Sequence, residues 1–168
     1  TDYPITTQYR KGGNNPQILT ATVGYIRVMG SITTPDYALT PFTPKRPFYL
    51  QNLLNYQGPL PQGNPRNIQV TPTSLGGQSF AGELNYLFEV DINTIQNINI
   101  QMGNVVDHPF HMHVNHFQII TPGTNAIPVP NGYQVIGDFA DTYIGPGLVR
   151  FKTDGWGGTV TMHCHILE

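Results

Sequence analysis

Thr159-Val160-Thr161-Met162-His163-Cys164-His165 alternates polar and apolar side chains residue by residue, the pattern of a half-buried β-strand. Successive side chains of a strand point to opposite faces. Val160, Met162 and Cys164 therefore share one side, and Thr159, Thr161, His163 and His165 share the other. The stretch His108-Pro109-Phe110-His111-Met112-His113 reads the same way: Phe110, Met112 and Val114 face one side, His111 and His113 the opposite one. Turning the apolar sets to a core buries Cys164 and leaves four imidazoles on the outward face. His108, next to Pro109 and off the strand register, can turn inward to join Cys164. Together the two stretches hold five of the six histidines and the only cysteine.

Two metal environments follow, one on each side of a strand, and donor softness separates them. A thiolate with imidazole selects copper in an electron-transfer site, while clustered neutral imidazoles suit copper, zinc or iron. A blue-copper centre also wants a second histidine and a weak axial group, which these residues do not supply. Structural zinc favours several cysteines or a C-x-x-C spacing, so one cysteine flanked by histidines on the opposite face is a poor zinc cage. His116 is set aside as a non-ligand, because it shares the apolar register of Met112 and Val114.

Outward from these motifs, the chain from residue 80 onward is regular. Strands are predicted over 86–92, 97–102, 111–120, 133–136, 142–144 and 149–152, with Asn104 opening the turn that delivers His108. Pro122-Gly123, Pro146-Gly147 and Asp154-Gly155-Trp156-Gly157-Gly158 break them. Short strands with turn signals at such spacing predict an all-β Greek-key sandwich. Residues 31–78 carry eight prolines and no methionine; prolines at that density oppose a continuous ladder or helix. Phe42, Phe48, Tyr49, Leu50, Leu53, Leu54 and Tyr56 are nonetheless too apolar for a free linker, so the segment is expected to wrap over a domain surface. Near the start, residues 18–28 alternate as a strand after the turn cluster Gly12-Gly13-Asn14-Asn15-Pro16.

Length and composition bound the rest. A chain of 168 residues has room for one domain, or one domain plus part of another. Charged residues make up 11% and the net charge is −2, which leaves no electrostatic footprint for nucleic acid or an anionic membrane. No apolar run approaches the ~20 residues of a membrane-spanning helix. A single cysteine excludes a disulfide within the chain. The chain starts at Thr1 without a signal-peptide pattern, as a mature or partial chain would.

The pair H-P-F-H-M-H and H-C-H-I-L-E resembles the C-terminal copper motifs of the multicopper oxidases, the laccase-like blue oxidases. The resemblance runs over about residues 80–168. It implies a cupredoxin-like domain there, cut short at its C-terminal end, because the family's next histidine would fall one residue beyond Glu168 and its axial methionine further on. Residues 1–30 would then be the closing strands of a preceding cupredoxin domain, and 31–79 a Pro- and Gly-rich wrapping linker. Carried over residue by residue, His108 and Cys164 would bind type 1 copper, His111 type 2 copper, and His113, His163 and His165 the binuclear type 3 pair. Asp141-Thr142 resembles the family's aspartate-threonine pair and is expected to be structural. The implied activity couples one-electron oxidation of phenols, aromatic amines or metal ions to reduction of O2 to water. The lack of a methionine-rich insert in 31–78 weighs against cuprous oxidation. Half of the oxygen-reducing cluster's histidines would come from an N-terminal cupredoxin domain, so the chain alone should not turn over oxygen, and the family points to a secreted or periplasmic protein.

Three other functions are distinguishable. A single-site blue copper carrier would need only the thiolate site, and His111, His113, His163 and His165 would have no task. A copper nitrite reductase, a two-domain relative, carries His-Cys without the second flanking histidine, so His165 discriminates. A non-catalytic copper-binding fragment would take up no oxygen in the whole assembly.

Overall fold

The computed structural model describes residues 1–6, 21–30, 43, 45–82, 85–103, 108–123, 134–155 and 157–165. Among these residues every regular element is a strand, as the alternation predicts. The chain divides into two compact units, Thr1–Pro47 and Phe48–Glu168.

In the first unit, β1 (Asp2–Thr6) pairs antiparallel with β2 (Thr22–Arg27). The ribbon is closed by the Arg27 guanidinium, which donates two 2.8 Å hydrogen bonds to the Asp2 carboxylate and holds that carboxyl below its ordinary pKa. Alternation over 18–28 predicted one buried face. Residues 18–20 and the turn cluster before them lie outside the described residues, and in β2 itself Val23, Tyr25 and Ile26 are all exposed. Among the described residues of this unit two strands stand alone, with no second layer against which to bury a face.

The second unit is a β-sandwich built from β3 (Arg66–Val70), β4 (Ile95–Met102), β5 (Pro109–Met112), β6 (Phe117–Pro122), β7 (Phe139–Ala140), β8 (Thr142–Ile144), β9 (Gly147–Lys152) and β10 (Met162–Cys164). One sheet has the order β3-β4-β9-β6-β7 and the other β10-β5-β8. All the pairings are antiparallel except β3 with β4. The core lies between the sheets: Ile68, Val70, Ile98, Ile100, Phe117, Ile119, Val149 and Phe151 from the larger meet Phe110, Met112 and Tyr143 from the smaller. Such interdigitated inner faces are what a sandwich of two sheets requires.

Four sequence expectations differ from the structure. Residues 111–120 are not one strand. The chain bends at Val114, whose φ is 66°, and the Asn115 amide donates to the His113 carbonyl at 2.7 Å, a tight three-residue turn of the strained hand. β5 before the bend belongs to the small sheet and β6 after it to the large one, so the bend carries the chain between layers. Residues 86–92 form no strand; Leu87 and Phe88 pack on the core edge, where the Arg66 guanidinium stacks 4.7 Å from the Phe88 ring and donates to the Glu89 carbonyl. Around 133–136, Tyr133 is outside the described residues and the rest turns, with Gln134 at φ 57° and the Asp138 amide donating to the Val135 carbonyl; the strand follows as β7. Finally, the stretch expected only to wrap contributes β3, because residues 66–70 follow Pro65 and precede Pro72 and so form an uninterrupted ladder. Asn104 lies outside the described residues.

The wrapping itself has a clear cause. Register places Asn97, Arg150 and Gln118 side by side across β4, β9 and β6, on the face opposite Ile98, Val149 and Ile119. All three are buried, and residues 52–56 cover them. Arg150 donates to Asn97 Oδ1 at 2.8 Å and to the carbonyls of Leu53 at 2.8 Å and Tyr56 at 3.2 Å. Gln118 Oε1 accepts from the Leu53 amide at 2.7 Å, and its Nε2 donates to Asn52 Oδ1 and the Gly137 carbonyl. A loop without ladder bonds is thus satisfied by side chains from the sheet. Desolvation pulls the Arg150 pKa below its ordinary value. Replacing Arg150 with methionine keeps the apolar stem but takes the donor from Asn97 Oδ1 and the Tyr56 carbonyl, while the Leu53 carbonyl keeps the Tyr56 amide; it is expected to cost about 1–3 kcal/mol. A lower urea midpoint together with faster proteolysis within 52–56 checks this; an unchanged midpoint contradicts it.

Candidate metal centre

The site is built on the small sheet. β10 faces β5 with Met162 opposite Met112, His163 opposite His111 and Cys164 opposite Phe110. β8 lies on the other side of β5, with Thr142 opposite His111 and Tyr143 opposite Phe110. Residues directly opposite on neighbouring strands share a face. His163, His111 and Thr142 therefore form one rung, and Cys164, Phe110 and Tyr143 form the next rung on the core side. Two further bonds extend the pairing beyond the regular strands: the His113 amide donates to the Thr161 carbonyl at 2.9 Å and the His165 amide to the Pro109 carbonyl at 3.0 Å.

The outward face brings the four predicted imidazoles together. The His111 ring lies 4.9 Å from that of His113, 5.1 Å from His163 and 4.8 Å from His165. The rings of His163 and His165 are stacked at 5.6 Å, and His113 Nε2 approaches His163 Nε2 to 3.0 Å. One nitrogen from each of His111, His113 and His163 falls within a 4.8 Å group. On the inner side, His108 Nδ1 lies 2.9 Å from Cys164 Sγ, and both residues are half-buried. His116 is exposed, beyond the bend and outside the cluster; the apolar register used to set it aside ends at Val114, which is itself 59% exposed.

Hydrogen bonding fixes where the protons sit. His111 Nδ1 lies 3.0 Å from the Asp141 carbonyl oxygen and 2.9 Å from Thr142 Oγ1. A carbonyl only accepts, so Nδ1 carries the hydrogen and Nε2 keeps its lone pair. His163 Nδ1 likewise faces the Cys164 carbonyl at 3.2 Å, which leaves His163 Nε2 as acceptor for the Nε2–H of His113. Burial lowers the His111 pKa against the opposing pull of the Asp141 carbonyl and carboxylate, and the neighbouring His113 and His163 lower it further. A neutral ring with a bare nitrogen is the state that a metal requires.

Asp141 and Thr142, expected from the sequence to be structural, stand directly against His111 Nδ1. Their adjacency was visible, but their place opposite His111 depends on the β5–β8 register, which has no local signal.

The family model of the multicopper oxidases matches residues 45–168, a span that covers every strand of the sandwich. The chain belongs to the multicopper oxidase family. No curated protein matches it. Membership makes this multicopper oxidase domain part of an oxidoreductase family for which copper is the implied cofactor, and the sandwich is cupredoxin-like. Donor chemistry agrees with that metal: one soft sulfur stands beside one imidazole on the inner side, and on the outer side imidazole nitrogens converge with no carboxylate among them. Soft sulfur and borderline nitrogen suit copper better than the hard cations, which take oxygen. Among the described residues of the oxidase chain no helix is long and apolar enough to cross a membrane.

Proposed function

We propose that this chain is the C-terminal part of a laccase-like multicopper oxidase that couples one-electron oxidation of small donors, such as phenols, aromatic amines or metal ions, to four-electron reduction of O2 to water. The observation that supports it is the opposition across β10: Cys164 joins His108 on one face while the flanking His163 and His165 join His111 and His113 on the other. His108 and Cys164 would hold type 1 copper, His111 type 2 copper, and His113, His163 and His165 the type 3 pair. Copper in these positions would supply reversible one-electron chemistry between the donor, which provides the reducing equivalents, and oxygen.

The protein's own part is to hold and to connect. The half-buried sulfur sits at the edge of the core that contains Phe110 and Met112, which sets the inner donors in apolar surroundings. One peptide unit on either side of Cys164 links that sulfur to an imidazole of the outer cluster, so electron entry and oxygen chemistry occupy separate faces yet share a covalent path. A single-site carrier would have no use for the four outward rings, which favours the oxidase. Further histidines for the cluster would come from an N-terminal cupredoxin domain. The β1–β2 ribbon, with apolar groups bare on both faces, fits the closing strands of such a domain. An extracytoplasmic location, secreted or periplasmic, accompanies this proposal.

The test is oxygen uptake by the assembled, copper-loaded protein with a phenolic or aromatic amine donor. Consumption of four one-electron donors per O2, without peroxide, is expected. Donor-independent uptake, or none in the fully copper-loaded assembly, overturns the proposal.

A further inference from the structure

We infer that Asp141 and Thr142 act as a positioning pair for His111, fixing which ring nitrogen is free for metal. The inference rests on the proposal that His111 is a copper ligand, and it adds residues outside the ligand set. Thr142 Oγ1 lies 3.0 Å from Asp141 Oδ1 and donates its only hydrogen there. That leaves the hydroxyl oxygen as an acceptor toward His111 Nδ1 at 2.9 Å. The Asp141 carbonyl, 3.0 Å from the same nitrogen, accepts as well. Two acceptors therefore converge on Nδ1–H, and a carboxylate stands behind one of them. A proton on Nε2 instead would leave the Nδ1 lone pair facing two oxygens, one of which has no hydrogen to give and the other of which has already given its own.

The backbone locks this arrangement. The Asp141 carbonyl also accepts from the Met112 amide at 3.0 Å, so the strand pairing that places Thr142 opposite His111 fixes the acceptor too. Ligating histidines are commonly held in this manner through their second nitrogen, and loss of such a partner costs about 10–100-fold in metal affinity. Asp141 and Thr142 touch no reacting atom in this scheme; they act through His111.

The decisive readout needs no metal. In the 15N-labelled, copper-free protein, long-range proton–nitrogen correlation reports which ring nitrogen of His111 is protonated, and the Nδ1–H form is expected. Thr142→Val keeps the β-branched shape and removes the hydroxyl. It is expected to give mixed His111 tautomers and an affinity for Cu(II), read by chelator competition, lower by about tenfold or more. Thr142→Ser is expected to restore both. An Nε2–H tautomer in the parent protein overturns the inference, and that measurement stands even if the valine variant does not fold. A valine variant with parental His111 signals and parental affinity also overturns it. If His111→Ala leaves Cu(II) binding unchanged while the parent shows the Nδ1–H form, the copper-ligand proposal fails and the positioning pair stands as a device that fixes the ring alone.

Discussion

Replacing Cys164 with serine is expected to abolish the intense blue absorption of the copper-loaded protein and to lower donor oxidation by more than about 100-fold, beyond the range for loss of an outer-sphere partner. The sulfur is the only thiol in the chain. A serine hydroxyl in its place is a harder donor that stays protonated at neutral pH, so the soft thiolate that selects copper in an electron-transfer site is gone. The fold should survive the change. Cys164 is half-buried at the edge of the core, serine is of similar size, and His108 Nδ1 at the position now 2.9 Å from the sulfur offers the hydroxyl a partner. Visible absorption and the thermal midpoint, measured on the same sample, separate loss of the site from loss of the fold. A serine variant that keeps both colour and oxidase activity removes Cys164 from the site.

The largest effect on stability is expected from Phe110→Ala. Phe110 is fully buried and lies between Cys164 and Tyr143 on the inner rung of the small sheet. Its ring meets that of Phe117, in the other sheet, at 6.0 Å, so it joins the two layers at the point where the chain switches between them. Emptying such a position costs about 3–5 kcal/mol, the lost transfer energy plus the cavity left behind. For a unit of this size that lowers the thermal midpoint by roughly 10–20 °C. His111 is the next residue on the same strand, so copper retention should weaken in parallel. Calorimetry gives the magnitude; a shift of less than about 3 °C would show that Phe110 does not bridge the layers.

The parts of this architecture that were legible in sequence are those with a local period. Alternation over Phe110–His113 and Val160–His165 needs no knowledge of distant partners, and it put sulfur and imidazoles on opposite faces before any pairing was known. The bend at Val114 was not legible, because valine is among the residues least suited to positive φ and the one turn-forming residue nearby, Asn115, follows the bent position rather than occupying it. Nor was the parallel partnership of β3 with β4, in which two short stretches, far apart in sequence and with ordinary alternation, meet only through the fold. Residues 86–92 alternate as well as any strand, yet Tyr86 and Ile92 are exposed, and the neighbours Leu87 and Phe88 are held by the core edge and Arg66 rather than by a ladder. Arg150 and Gln118 would read as solvent-facing members of their strands, and become buried because the Pro-rich segment closes over them with its own carbonyls and amides. In each case the missing information is register or cover, which are long-range properties.

The most direct measurement for the central claim is anomalous diffraction at the copper edge from crystals of the copper-loaded protein. Two separate regions of copper density are expected on opposite sides of Met162–Cys164: one beside Cys164 Sγ and His108, the other among His111, His113, His163 and His165. A single copper position shared by Cys164 and its flanking imidazoles, or density remote from both faces, would contradict it.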